Sequence, residues 1–239
     1  MKSTLIFPAG TTEAIRFAAE QLHRNGTPMI DHPSPEITHL LLDVPSFGAE
    51  GNLRDGRKLS ALLERLPENV TVIGGNLIHP DLVGYQTFDL LQKEAYLCPN
   101  AVITAECALR IAARELKTTF RDTPTLVIGW GRIGKCLAQL LQAMDAPVCI
   151  AARKEKDRAM LQALGFKAIG MDDSIGKYRL ILNTVPEAVF PDEIIKCADC
   201  VKIDLASRKG LAGEDVIWAK GLPGKLAPES SGQLIADTI

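Results

Sequence analysis

The chain has 239 residues, 46% of them hydrophobic and 23% charged, with a net charge of −2 at neutral pH. This is ordinary globular composition, enough for one large domain or two small ones, and it provides no global field to hold nucleic acid or an anionic membrane. No run of about 18 apolar residues marks a transmembrane helix, and the opening Met1-Lys2-Ser3-Thr4-Leu5-Ile6-Phe7-Pro8 breaks too early for a signal peptide. A cytoplasmic protein that binds neither membrane nor nucleic acid is expected.

The first hundred residues read as a small α/β unit. Thr4 to Phe7 predicts a strand and Thr12 to Asn25 a helix, with Gly26 where a helix stop belongs. Pro28–Ile30, His39–Val44 and Val70–Ile73 predict further strands, the last closed by Gly74-Gly75. Between them, Leu59, Leu62, Leu63 and Leu66 follow the i, i+3, i+4, i+7 spacing of an amphipathic helix. Strands alternating with helices imply a parallel sheet covered on both faces. From Asn100 to Thr119, the residues Ala105, Ala108, Leu109, Ala112, Ala113 and Leu116 form a helical stripe. This predicts a long connecting helix over 101–118, with the first domain ending at residue 100 and the second running over 101–239.

The second domain opens with Thr125-Leu-Val-Ile-Gly-Trp-Gly-Arg-Ile-Gly134. An apolar strand, glycines at GxGxxG spacing and a helix over Lys135–Met144 make a dinucleotide-binding fingerprint. Gly129 would allow the tight turn, Gly131 would let a pyrophosphate approach the backbone, and Gly134 would let the helix pack close. Trp130, Arg132 and Ile133 lie within the same loop. The helix N-terminus then faces the phosphates. Strands follow at Val148–Ala151, Leu180–Asn183, Cys200–Asp204 and Val216–Ala219, with helices at Lys156–Leu164 and Ser230–Ile239.

Dinucleotide folds usually place an acidic residue about 20 residues beyond the first glycine to bind the ribose 2′-OH of NAD. Here the stretch reads Ile150-Ala-Ala-Arg153-Lys154. The carboxylate is missing, and Arg153 can fork onto a 2′-phosphate beside Lys154, which favours NADP over NAD; the other reading of the pair is a solvated turn. Ligands bind beyond the carboxyl ends of parallel strands, which points to Asn183-Thr184-Val185-Pro186 and Asp204-Leu205-Ala206-Ser207 as further cofactor loops. Thr184 and Ser207 offer hydroxyls, Pro186 fixes its turn, and Asp204 either orients a ligand amide or caps a helix.

Six cysteines read as free thiols. Cys197 and Cys200 form a CxxC with no second pair to complete a zinc site, so no metal is expected.

Several segments together resemble the A-type polypeptide of dipicolinate synthase from spore-forming bacteria. They are Asn100-Ala-Val-Ile-Thr-Ala-Glu106, Val127–Gly134, Ala151-Ala-Arg153, Asn183–Pro186, Ile203-Asp-Leu-Ala-Ser-Arg208, Gly221-Leu-Pro-Gly224, Ala227-Pro228 and Ser231-Gly232. The resemblance implies a flavodoxin-like first domain and a Rossmann second domain. It also implies NADP-linked oxidation of a dihydrodipicolinate-type ring in the cleft between the domains, a homodimer, and a separate B-type polypeptide of dipicolinate synthase as partner. Residues 8–56 match only loosely, and the family's Arg-Pro-Gly is Arg208-Lys209-Gly210 here. The architecture is shared with D-2-hydroxyacid dehydrogenases, whose catalytic His has no counterpart because no histidine follows His79.

A substrate with two carboxylates calls for cations. Arg208, directly after the expected nicotinamide loop, is the first candidate clamp, and Lys225 the second. Glu106 at the start of the connecting helix is a candidate base, with helix capping as the other reading. The Ser46–Gly51 loop and the Gly74–Asn76 turn are candidates to close over the substrate. His79 reads as structural. A dehydrogenase of another small carboxylic acid, and a non-catalytic nucleotide-binding partner protein, stand as alternatives.

Overall fold

A computed structural model describes residues 4–192, 195 and 200–239. Cys197 therefore lies outside the described residues, and the remaining five cysteines are free thiols. No described helix is long and apolar enough to cross a membrane.

The chain divides into two compact units, residues 1–100 with 223–239, and residues 101–222. In the first, β1 (Ile6–Pro8), β2 (His39–Leu41), β3 (Thr71–Gly74) and β4 (Gln86–Asp89) form a parallel sheet in the order β1-β2-β3-β4. The strand expected at Pro28–Ile30 is a single parallel bridge, Met29 to Ile6, on the far side of β1. Counting that bridge, the order is the 2-1-3-4-5 of flavodoxin-like sheets. Successive residues of a strand face opposite sides. Leu40 and Leu42 therefore join Leu59, Leu62 and Leu63 of α2 (Leu59–Leu63) in one core layer, while Leu41 joins Ile15, Ala18 and Leu22 of α1 (Glu13–Arg24) in the other.

The C-terminal helix, expected in the second domain, belongs to the first unit. Ile235 and Ala236 of this helix, α7 (Pro228–Thr238), lie in the α1 layer. The reason is steric: Gly232 lets the two helix backbones approach, since a Cβ there would lie 2.5 Å from Phe17 Cβ and 2.6 Å from the Ala14 carbonyl oxygen.

The connecting helix α3 (Glu94–Glu115) starts earlier than expected and runs through Pro99. In the second unit, β5 (Thr125–Ile128), β6 (Val148–Ala151), β7 (Lys167–Ile169), β8 (Leu180–Asn183), β9 (Val201–Asp204) and β10 (Val216–Trp218) are all parallel, in the order β10-β9-β8-β5-β6-β7. This is the doubly wound Rossmann order. Helices α4 (Arg132–Ala143) and α5 (Glu155–Ala163) make the crossovers from β5 to β6 and from β6 to β7. The short helix α6 (Leu222–Leu226) straddles the boundary between the units in sequence.

A cation is buried in the second sheet. Lys202 on β9 is 1% exposed, and its Nζ donates to Asp215, which stays exposed. The Lys202 hydrogen bond, opposed by slight desolvation, holds the Asp215 carboxyl below its ordinary range.

Two expectations follow. Gly232→Val should lower stability by about 2 kcal/mol or more through overpacking, read as a lower urea midpoint; an unchanged midpoint would contradict the α1–α7 contact. A carboxyl with a depressed folded pKa adds stability that is fully present above its unfolded value, about 3.9, and is lost as pH falls through the folded value. The stability gap between wild type and Asp215→Asn should therefore be constant near neutrality and close in acid. A gap that widens in acid counts against the pair.

Candidate functional site

The carboxyl ends of β5 and β8 adjoin where the strand order of the second unit reverses, which is where ligands bind in open α/β sheets. All four β5 residues are buried. The strand ends at Gly129 with φ +103°, a left-handed conformation that glycine alone adopts without strain. A Cβ at Gly129 would also lie 2.5 Å from Thr184 Oγ1, and that hydroxyl donates to the Ile128 carbonyl at 2.8 Å. At Gly134 a Cβ would lie 2.2 Å from the Gly129 carbonyl oxygen. Protein packing thus requires these two glycines.

Gly131 differs. Its φ is an ordinary −83°, and a Cβ there would meet nothing within 4 Å. Nothing in the folded protein requires glycine at this position; a ligand approaching the backbone would. Gly131 is also the N-cap of α4, and no side chain caps it. The space that a Cβ at 131 would take is therefore open, beside the first turn of α4 at the positive end of the helix. This open cradle fits a pyrophosphate.

The corresponding place in the first unit is closed. At the end of β2, the buried Asp43 carboxylate accepts from the backbone N–H of Thr11 (3.0 Å) and of Thr12 (2.9 Å) and from the Thr12 hydroxyl (2.6 Å). The N-terminus of α1 already holds an anion, the protein's own.

Around the cradle, Trp130 is half-buried against the edge of Phe166, with ring centroids 6.0 Å apart. Arg132 is exposed on the first turn of α4 and Ile133 half-buried. After β6, the Arg153 and Lys154 side chains are exposed and make no hydrogen bond or ion pair among the described residues. The loop that carries them is braced by Arg158, whose Nη1 donates to the carbonyls of Ala152 and Arg153, both at 2.8 Å.

Asn183 and Asp204 are both fully buried. Asn183 Nδ2 donates to Asp204 Oδ1 at 3.0 Å and to the Val185 carbonyl at 2.9 Å. Asp204 also accepts from the backbone N–H of Ala206 (3.0 Å), Gly210 (2.7 Å) and Leu211 (2.9 Å). Its oxygens are spent inside the protein. The helix end that one sequence reading assigned to it is not among its partners; its bonds run to Asn183 and to loop N–H groups. A Cβ at Gly210 would lie 2.4 Å from the Val185 carbonyl oxygen, so the β8 and β9 loops pack as one block. That block presents Thr184, half-buried, with Pro186, Ser207 and Arg208 exposed; Ala206 is buried behind them. Arg208 makes no hydrogen bond or ion pair among the described residues.

The other expected residues lie on other elements. Glu106 is exposed on α3, beside Cys107, whose thiol pKa is raised by burial. Lys225 is exposed on α6, in the stretch assigned to the first unit. The two loops expected to close over substrate are latched. The buried Ser46 N–H donates to the Gly75 carbonyl (2.8 Å), and the Gly75 N–H donates to Ser46 Oγ (3.1 Å). Asp89 accepts from the N–H groups of Asn76 and Leu77, both at 2.9 Å. His79 stacks on Phe47 at 4.7 Å and accepts from the Asp81 N–H at 3.1 Å, a structural role. Among the described residues no three His, Cys, Asp or Glu side chains are arranged to hold a metal.

Residues 106–202 match the NAD-binding domain of D-isomer specific 2-hydroxyacid dehydrogenases. The second unit is therefore a nicotinamide-dinucleotide-binding domain of the dehydrogenase type. Beyond that class, the chain is homologous to the A-type polypeptide of dipicolinate synthase. It is 24% identical over 163 residues to that protein from Bacillus subtilis, an alignment covering 63% of this chain and 55% of the relative. The crystal structure of the corresponding polypeptide from Bacillus halodurans superposes with a TM-score of 0.83 at 18% identity, covering 100% of this chain and 96% of that one. The Bacillus subtilis structure gives 0.79 at 21% identity, covering 100% and 94%. These likenesses establish the fold.

The glycines separate folding from binding. Gly131→Ala should lower stability by no more than about 1 kcal/mol, the cost of alanine at an N-cap, yet weaken dinucleotide binding about tenfold or more in calorimetry. Gly134→Ala should lower the melting temperature outright. Unaltered dinucleotide affinity in Gly131→Ala would refute the cradle.

Proposed function

We propose that this protein is an NADP-dependent oxidoreductase that converts a dihydrodipicolinate-type substrate to dipicolinate. The observation that carries the reading is Gly131, a glycine that no protein contact explains, at the N-terminus of α4. Homology to a dipicolinate synthase polypeptide supports the substrate class.

In this reading the α4 N-terminus holds the pyrophosphate, and Arg153 with Lys154 takes the 2′-phosphate as a bidentate fork beside a point charge. Thr184 and Ser207 offer hydroxyls to the ribose or carboxamide. Asn183 and Asp204 are positioning residues that fix the two loops. When bound, the nicotinamide ring accepts the hydride. Arg208 grips a substrate carboxylate, and Lys225 is the second clamp. Aromatisation also releases one proton, which Glu106 accepts. The gain in aromaticity supplies much of the driving force, so the protein's main work is orientation.

A second reading rests on the relative being one of the polypeptides of a multi-subunit synthase: this chain would bind the nucleotide and a partner protein would do the chemistry. The two are separated by following absorbance of the reduced cofactor with freshly made dihydrodipicolinate, with and without the partner. Turnover by this chain alone supports the first reading. Tight cofactor binding with no turnover supports the second.

Arg153→Ala should weaken NADP binding about tenfold, one charge-assisted fork, and leave NAD binding within about twofold. Equal effects on both coenzymes would remove Arg153 from the 2′-phosphate site.

A further inference from the structure

Trp218 is the last residue of β10, in register with Asp204 at the end of β9. It therefore sits at the carboxyl edge of the sheet, the edge that carries the glycine loop and the Arg208 loop. The Ala219 N–H donates to the Asp204 carbonyl at 2.8 Å, which ties the end of β10 to that edge. The indole Nε1 donates to the Ala206 carbonyl at 3.1 Å, two residues before Arg208. That bond fixes the ring, yet the residue remains 48% exposed. The Lys220 ammonium lies 5.7 Å from the ring centroid. An oriented, half-exposed aromatic ring thus has the Lys220 ammonium over it and is bonded to the loop that carries Arg208.

We propose that Trp218 is a specificity-determining residue for a planar, anionic ring. Its indole forms an aromatic wall for the ring of the substrate, with Arg208, on the loop to which the indole is bonded, supplying charge for a carboxylate. Tryptophan is suited to this: it gives a large rigid surface with one polar handle, and here the handle is used by the Ala206 carbonyl. A flexible aliphatic acid would gain little from such a wall, whereas a pyridine dicarboxylate would gain both stacking and charge. The inference rests on the proposed oxidation of a dihydropyridine dicarboxylate and adds the residue that selects for ring shape.

The test is calorimetric titration of pyridine-2,6-dicarboxylate into the NADP-saturated full chain, for wild type, Trp218→Phe and Trp218→Leu, with NADP affinity measured for each. Trp218→Leu should weaken dicarboxylate binding about tenfold, and Trp218→Phe, which keeps a ring but loses the bond to Ala206, by no more than about threefold. NADP affinity should stay within about twofold in both. The chain has two tryptophans, so ligand-induced quenching of emission should be seen in wild type and be largely lost in Trp218→Phe. If Phe and Leu weaken binding equally, the residue acts only by holding the Ala206 loop and the proposal is overturned. Wild-type affinity in Trp218→Leu also overturns it while leaving the proposed reaction standing. If the wild type itself gives no heat with the dicarboxylate, the proposed reaction falls and the aromatic wall falls with it.

Discussion

The close approach of α4 to the end of β5 is the constraint on which the rest of the second unit depends. Any side chain at 134 would press into the Gly129 carbonyl, and any side chain at 129 into Thr184. The helix is thereby pinned with its first turn beside the β8 loop, at the point where the strand order reverses. Asp204 extends the same block through Asn183 to β8 and through its own backbone partners to residues 206–211. Sheet, helix and both loops are one packed object, and its open side is the stretch from Gly131 to Arg208. Preorganisation of this kind lets a site bind without ordering itself first.

The two units pose the same physical problem and solve it differently. Each has a helix that starts beyond the first strand at a switch point, with N–H groups to satisfy. In the first unit Asp43 accepts from the N–H groups of Thr11 and Thr12 at the start of α1, and a Cβ at Gly10 would lie 2.8 Å from the Asp43 backbone nitrogen and 2.9 Å from Ile15 Cγ1. In the second unit the N-cap is Gly131, which has no side chain to offer, and the space a Cβ would take there is open. One sheet edge is finished by its own chain, and the other is left for a ligand. This asymmetry agrees with the match of residues 106–202 to an NAD-binding domain.

Much of this was legible in the residues, for identifiable reasons. The strand at 125–128 and the glycines at 129, 131 and 134 carry their geometry locally, so spacing alone located the cradle. The strands β4 and β7 were not read because they are short, partly exposed edges with sequences Gln-Thr-Phe-Asp and Lys-Ala-Ile, lacking the apolar run of a central strand. The early start of α3 was hidden by Pro99, since proline normally argues against a helix interior. The C-terminal helix was recognisable as a helix, but its partner was not: only the steric fit of Gly232 on α1 assigns it. Asp204 ends a strand at the right edge, so from the residues alone it reads as a ligand contact or a helix cap. Its four internal hydrogen bonds depend on loops 21 residues away in sequence at Asn183 and 7 at Leu211, which no local pattern displays. Asp43 and Trp218 escaped notice for the same reason.

The central claim is that a nicotinamide dinucleotide lies on the first turn of α4 in the intact protein. Amide hydrogen exchange, with and without saturating NADP, tests it most directly because it reports on the backbone groups themselves. The account predicts added protection at the amides of 129–135 and in the loops after β8 and β9, with the amides of 11–15 at the start of α1 unchanged. Protection at the start of α1, or none at the start of α4 under saturating NADP, would contradict it.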